Sequence, residues 1–210
     1  MTHVALLGDS VFDNAAYVRG GADVITHLRR RLPRGAAATL LAVDGSVVEG
    51  VHAQLRRLPA DATHLVVSAG GNDALHRAHI LEERARSAAE VIGRLADVAE
   101  EFEAGYRRML RAAAETGKPT AVCTVYYPRF PDALTQRLAV TALTVFNDAI
   151  IRAAFGAGVP LLDLRLICNE DADYANPIEP SKAGGAKIAD AIIRLVSAHN
   201  FGRRRTEVFV

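Results

Sequence analysis

Five short apolar runs, at residues 4–7, 38–43, 64–68, 120–125 and 159–164, constrain what this chain can fold into more than any other feature. Each is of strand length and nearly all apolar instead of alternating. That is the pattern of a strand covered on both faces. Such strands belong to a parallel sheet with helices above and below it. The stretches between them have helical spacing and predict helices over 22–32, 47–58, 87–116, 134–155 and 183–198. Strand and helix therefore alternate along the chain, which implies parallel strands joined by right-handed crossovers.

The stretch from Ser87 to Thr116 carries the clearest helical signals. Ser87 and Glu90 have the spacing of a capping box, and Gly117 and Pro119 supply the stop. Val91, Leu95, Val98, Phe102, Tyr106, Met109 and Leu110 recur at three- or four-residue steps and form one apolar stripe. Gly93 and Gly105 interrupt it and predict a kink or break. At 210 residues the chain has the size of one domain, and no repeat, low-complexity tract or linker divides it. Residues 1–200 read as a single domain and 201–210 as a tail. The apolar end of that tail, Val208-Phe209-Val210, predicts either a frayed end or an arm docked on another copy, which would make a homo-oligomer.

Composition narrows the function. The 25 Lys and Arg nearly cancel the 24 Asp and Glu, for a net charge of +1, so no polyanion partner is implied. Arg29-Arg30-Arg31 and Arg203-Arg204-Arg205 lack accompanying aromatic residues and read as solvated surface, not as nucleic-acid contacts. Cys123 and Cys168 are the only cysteines and form no close pair, so neither a disulfide framework nor a structural zinc site is expected. His3, His27, His52, His64 and His199 are scattered without metal-ligand spacing. No segment reaches about 18 uninterrupted apolar residues, and the start runs straight into a strand without a basic leader. The expectation is a cytoplasmic protein without membrane partner, metal or organic cofactor.

In open parallel sheets, ligands bind beyond the carboxyl ends of the strands. The first run is followed by Gly8-Asp9-Ser10, the second by Asp44-Gly45-Ser46, and the third by Gly70-Gly71-Asn72-Asp73. Three strands thus deliver small and polar residues to one edge. Taken singly, Ser10 reads as a helix N-cap, Asn72 as a turn residue and Gly45 as a tight turn. Their convergence asks for more. The three segments resemble, in order, the first three blocks of the SGNH (GDSL-like) hydrolases. The resemblance implies a three-layer α/β/α sandwich around a five-stranded parallel sheet in the flavodoxin-like order 2-1-3-4-5. It also implies that Ser10 attacks an ester-like carbonyl of a small-molecule substrate. The amides of Ser10 and Gly45 and the carboxamide of Asn72 would hold the oxyanion. Asp9 and Asp73 are expected to brace loop amides. Asp13 is open between a helix cap and a pocket acid.

The last block departs from the family pattern. Asn176 stands where that family places an aspartate, and Glu179 where it places a histidine, just before Pro180, the N-cap candidate Ser181 and the final helix. Three readings are open. Glu179 is the base, which requires its pKa to be raised toward that of histidine. Alternatively His76 or His79, after the third block, folds back over Ser10. Or the chain keeps the pocket as a small-ligand binder without efficient hydrolysis. Lys182, at a helix start, reads as solvent-facing rather than as a serine's partner. A nucleotide-binding protein of flavodoxin-like fold is a further class, but no GxxxxGK[ST] loop is present.

Overall fold

A computed structural model describes residues 1–210. In chain order the elements are β1 His3–Gly8, α1 Val24–Arg31, β2 Ala37–Leu40, α2 Val51–Leu55, β3 His64–Ser68, α3 Gly71–His76, α4 Ala88–Glu115, β4 Thr120–Cys123, α5 Ala133–Ala157, β5 Leu161–Leu162, α6 Leu164–Ile167, β6 Tyr174–Asn176, β7 Glu179–Pro180, α7 Lys182–Ala198 and β8 Val208–Phe209. The main sheet is entirely parallel, in the order β2-β1-β3-β4-β5-β8. The expected order 2-1-3-4-5 is present, but the sheet has six strands, not five. The sixth comes from the tail, where Val208 pairs with Leu161 and Phe209 with Leu162 of the same chain. The apolar end thus finds its partner in the open edge of β5, whose amides need acceptors.

Both faces of the sheet are covered, as the nearly all-apolar runs imply. Along β1, Val4 and Leu6 enter a core of 22 buried residues shared with α1 and α7, while Ala5 and Leu7 enter an equal core shared with α2, α4 and α5. Strand alternation splits one apolar run between two cores. Close approach of α7 to its neighbours needs Gly184 and Gly185. A Cβ at Gly184 would lie 2.2 Å from the carbonyl oxygen of Asp173.

Several elements differ from expectation for local reasons. α4 is one unbroken helix through Gly93 and Gly105; its stripe is buried from Val98 to Leu110, and that burial outweighs the cost of two glycines, although Val91 is exposed. Ser87 accepts from the Glu90 amide at 3.2 Å as expected, but the Glu90 carboxylate returns to the Arg86 amide, one residue early. The expected 47–58 helix is a 3-10 turn, Val48–Gly50, running into the short α2. α5 is apolar enough over 18 residues, at mean hydropathy 1.5, to cross a membrane by length and composition. Here Phe146, Ala149, Ile150 and Ala153 enter the core, and Leu138, Ala142 and Leu143 line a cavity at the carboxyl edge of the sheet.

Candidate active site

The end of β1 is held by two unusual contacts. Gly8 has φ +122°, and a Cβ there would sit 1.7 Å from the Ser68 carbonyl oxygen of β3, so only glycine lets these backbones meet. Buried Gln54 of α2 clamps the same residue. Its Oε1 accepts from the Gly8 amide at 2.7 Å, and its Nε2 donates to the Gly8 carbonyl at 2.8 Å. With Gly8 fixed, the chain turns at Asp9-Ser10. Asp9 Oδ1 accepts from the Val11 amide at 3.2 Å, the loop-bracing role expected of it.

Ser10 lines a cavity of about 390 Å³ together with Asn72 and Glu179. Its walls are mostly apolar: Leu75, Leu81, Val125, Leu138, Leu143, Phe146 and Ile178 among them. Three of the expected residues are therefore brought together. Asn72 Nδ2 donates to the Ser46 carbonyl at 3.0 Å, which ties the third block to the second. A carboxamide has a second N–H, so one donor remains for a ligand. The amides of Ser10 and Gly45 donate to no protein acceptor. Gly45, at φ +77°, is exposed on its turn and is not among the residues lining the cavity. Asp73 Oδ2 accepts from the Val48 amide at 3.0 Å and braces the same loops. Asp13 Oδ2 caps the Asp44 amide at 3.0 Å, so it belongs to the scaffold of the second block.

Glu179 opens the short β7, which pairs with β6 in a two-stranded sheet that gave no sequence signal. Asn176 does not act on the Glu179 carboxyl. Its Oδ1 accepts from the amides of Ile178 and Glu179, at 2.9 and 3.0 Å, and so shapes the turn that presents Glu179. Two further residues hold this loop. Fully buried Asn14 donates to the Pro180 carbonyl at 3.1 Å and accepts from Val24, and the Tyr126 hydroxyl donates to the Ile178 carbonyl at 2.6 Å. Ser181 caps α7 by accepting from Ala183 and Gly184. Lys182 is exposed.

Burial sets the electrostatics. It pushes the Glu179 carboxyl up to about 7, a rise that the neighbouring Ser10 hydroxyl partly offsets and the Asp44 charge adds to. Glu179 Oε2 is buried and has no hydrogen-bond partner. Asp9 is pushed further, to about 8, chiefly by burial and then by the nearby charges of Glu179 and Asp73. The two histidines are elsewhere. His76 and His79 are exposed, and neither lines the cavity; His79 faces Glu83 at 3.7 Å. Gln54, Asn14 and Tyr126 were missed in the sequence. Their contacts span 46, 166 and 52 residues, and no local pattern marks them.

The model of the GDSL-like lipase/acylhydrolase family matches residues 6–187, which include Ser10, Asn72 and Glu179. No curated protein matches the chain. Among solved structures it is similar to an extracellular lipase from Streptomyces rimosus, at TM-score 0.66 and 15% identity over 95% of this chain and 100% of the other. An α/β hydrolase from the metagenome of Lake Arreo aligns at TM-score 0.65 and 20% identity, over 95% and 96% of the two chains. A phospholipase A1 from Streptomyces albidoflavus aligns at 0.62 and 16%, over 94% and 99%. Those likenesses speak for the fold, and the family match for descent. With the order of its strands and the blocks at their carboxyl ends, the chain belongs to the GDSL-like lipase/acylhydrolase family.

Proposed function

We propose that this protein hydrolyses a carboxylic ester or thioester with an apolar acyl part, through an acyl-enzyme on Ser10, with Glu179 as general base. The observation that carries the reading is the buried Glu179 carboxyl in the same apolar cavity as Ser10, with its pKa pushed to about 7. A base works best when its pKa lies near the operating pH. Burial gives this glutamate a basicity close to that of the histidine it replaces.

In the first half-reaction the Ser10 oxygen bonds to the carbonyl carbon while Glu179 takes the hydroxyl proton. Negative charge gathers on the carbonyl oxygen, facing the Ser10 amide and Asn72 Nδ2. Collapse expels the alcohol or thiol, which takes the proton from Glu179. Water then attacks the acyl-serine, Glu179 accepts a proton from it, and release of the acid restores both groups. The expected test is labelling with a fluorophosphonate and peptide mapping. The label should sit on Ser10 and be absent from Ser10→Ala; a wild-type protein left unlabelled would contradict an activated serine.

One observation favours a second reading, a small-ligand binder with weak hydrolysis. The Gly45 turn is outside the cavity lining, and loss of one oxyanion donor costs about 100- to 1000-fold in turnover. Under it, wild type would bind apolar esters without measurable turnover.

A further inference from the structure

A second cavity, of about 540 Å³, lies at the opposite end of the sheet from Ser10. Lys118, Pro119 and Thr120 bring it to the start of β4, and Val159 and Pro160 to the start of β5. Its charge is one-sided. Arg107 and Arg111 of α4, Lys118 and Arg204 of the tail all line it, and no Asp or Glu does, in a chain whose net charge is only +1.

The cations are held there by the fold. The tail backbone at Arg204 packs so closely on Gly158 that a Cβ there would meet its carbonyl group at 3.0 Å. Thr206 fastens the tail by donating to the Ala154 carbonyl at 3.1 Å, and the pairing of β8 with β5 anchors its end. Lys118 donates its ammonium to the Ala62 carbonyl. Of the nearby carboxylates, Glu103 is taken by Arg107 and Arg152, and Glu207 by His199. Arg111 and Arg204 have no ion-pair partner.

The plain reading is that these cations answer the helix C-termini of α4 and α5, which end at this cavity. Two such ends present together about one negative elementary charge. With Arg107 paired to Glu103, the other three cations exceed that by about two, and Arg111 and Arg204 come from different elements, α4 and the tail. We infer that this cavity is a binding site for a small polyphosphorylated anion, separate from the ester site. Guanidinium groups match phosphoryl oxygens in paired geometry. The apolar floor of Leu110, Ala153, Val159 and Pro160 excludes water from one side and strengthens the attraction.

The test is calorimetric titration of the full chain with sodium tripolyphosphate at low salt, with sulfate at matched ionic strength as the control. The expected result is saturable 1:1 binding with Kd below about 100 µM, at least tenfold tighter than sulfate and weakening as salt rises. The double variant Arg111→Gln with Arg204→Gln, both exposed positions, should fold and bind about tenfold or more weaker. No saturable heat from tripolyphosphate, or equal affinity in the double variant, would overturn the assignment. So would binding of a single-stranded oligonucleotide without binding of tripolyphosphate.

Discussion

Asp9 and Glu179 both lose water on folding, and their carboxyls are pushed to about 8 and about 7. At neutral pH Asp9 is mostly protonated, and Glu179 is about half ionised. With Glu179 as the proposed base, the acid limb of kcat/KM should fall as pH drops through about 7. The same shifts bear on stability. In each case the folded pKa lies above the unfolded value, so the stability linked to the group is complete below about pH 4 and is lost as pH rises to the folded pKa. Thermal midpoints should therefore decline from about pH 4 toward about pH 8, and Asp9→Asn should flatten that decline. An equally steep decline in Asp9→Asn would exclude Asp9 as its source. The sequence singled out Glu179 by its slot before Pro180 and Ser181. Its basicity was illegible, because that depends on burial contributed by residues far away in the chain. For the same reason the sequence left Glu179, His76 and His79 open as candidate bases; in the fold Glu179 lines the cavity with Ser10, and both histidines are exposed outside it.

The junctions between strands and loops are held by side-chain amides that grip backbone on both sides. Gln54 does this to Gly8, and Asn147 of α5 does it to Val125, accepting from its amide at 2.8 Å and donating to its carbonyl at 2.9 Å. Both gripped residues lie at the carboxyl edge of the sheet, where pairing ends and backbone groups lose their partners. Gln54→Leu should leave the buried Gly8 amide without an acceptor, while the Gly8 carbonyl keeps the Val43 amide as donor, and cost about 1–3 kcal/mol in urea denaturation. Gly8→Ala should be worse, above about 4 kcal/mol, since a methyl group cannot coexist with the Ser68 carbonyl. A mild effect at Gly8 would mean that β1 and β3 approach less closely. The strands and the long helices were readable because the five runs are nearly all apolar and α4 runs 28 residues with one apolar stripe. The short pieces were not. α3, α6 and the β6–β7 pair are too brief for a period to show, and their form is set by contacts across the chain.

The parallel sheet separates two regions of different character, an apolar cavity with a serine and a buried carboxyl at the carboxyl edge, and a cationic cavity at the amino edge. The tail, which the sequence divided between fraying and a neighbouring subunit, adds the edge strand of the sheet and lines the second region. Its β8 satisfies the Asp163 amide through the Phe209 carbonyl at 2.9 Å, while the Glu207 carbonyl does the same for Leu161 at 2.9 Å. Truncation after Gly202 should cost about 2–3 kcal/mol and lower the thermal midpoint by roughly 5–10 °C. An unchanged midpoint would show that β8 adds nothing to the stability of the sheet. The chemistry proposed for the other edge rests on Ser10 and Glu179. The most direct measurement is kcat/KM on a short-chain p-nitrophenyl ester across pH for wild type, Glu179→Gln and Glu179→His. If Glu179 is the base, Glu179→Gln should lose about 100-fold or more, and the acid limb near pH 7 should disappear with it. An unaltered rate and limb in Glu179→Gln would contradict the assignment, as would an inert wild type that gains activity only as Glu179→His.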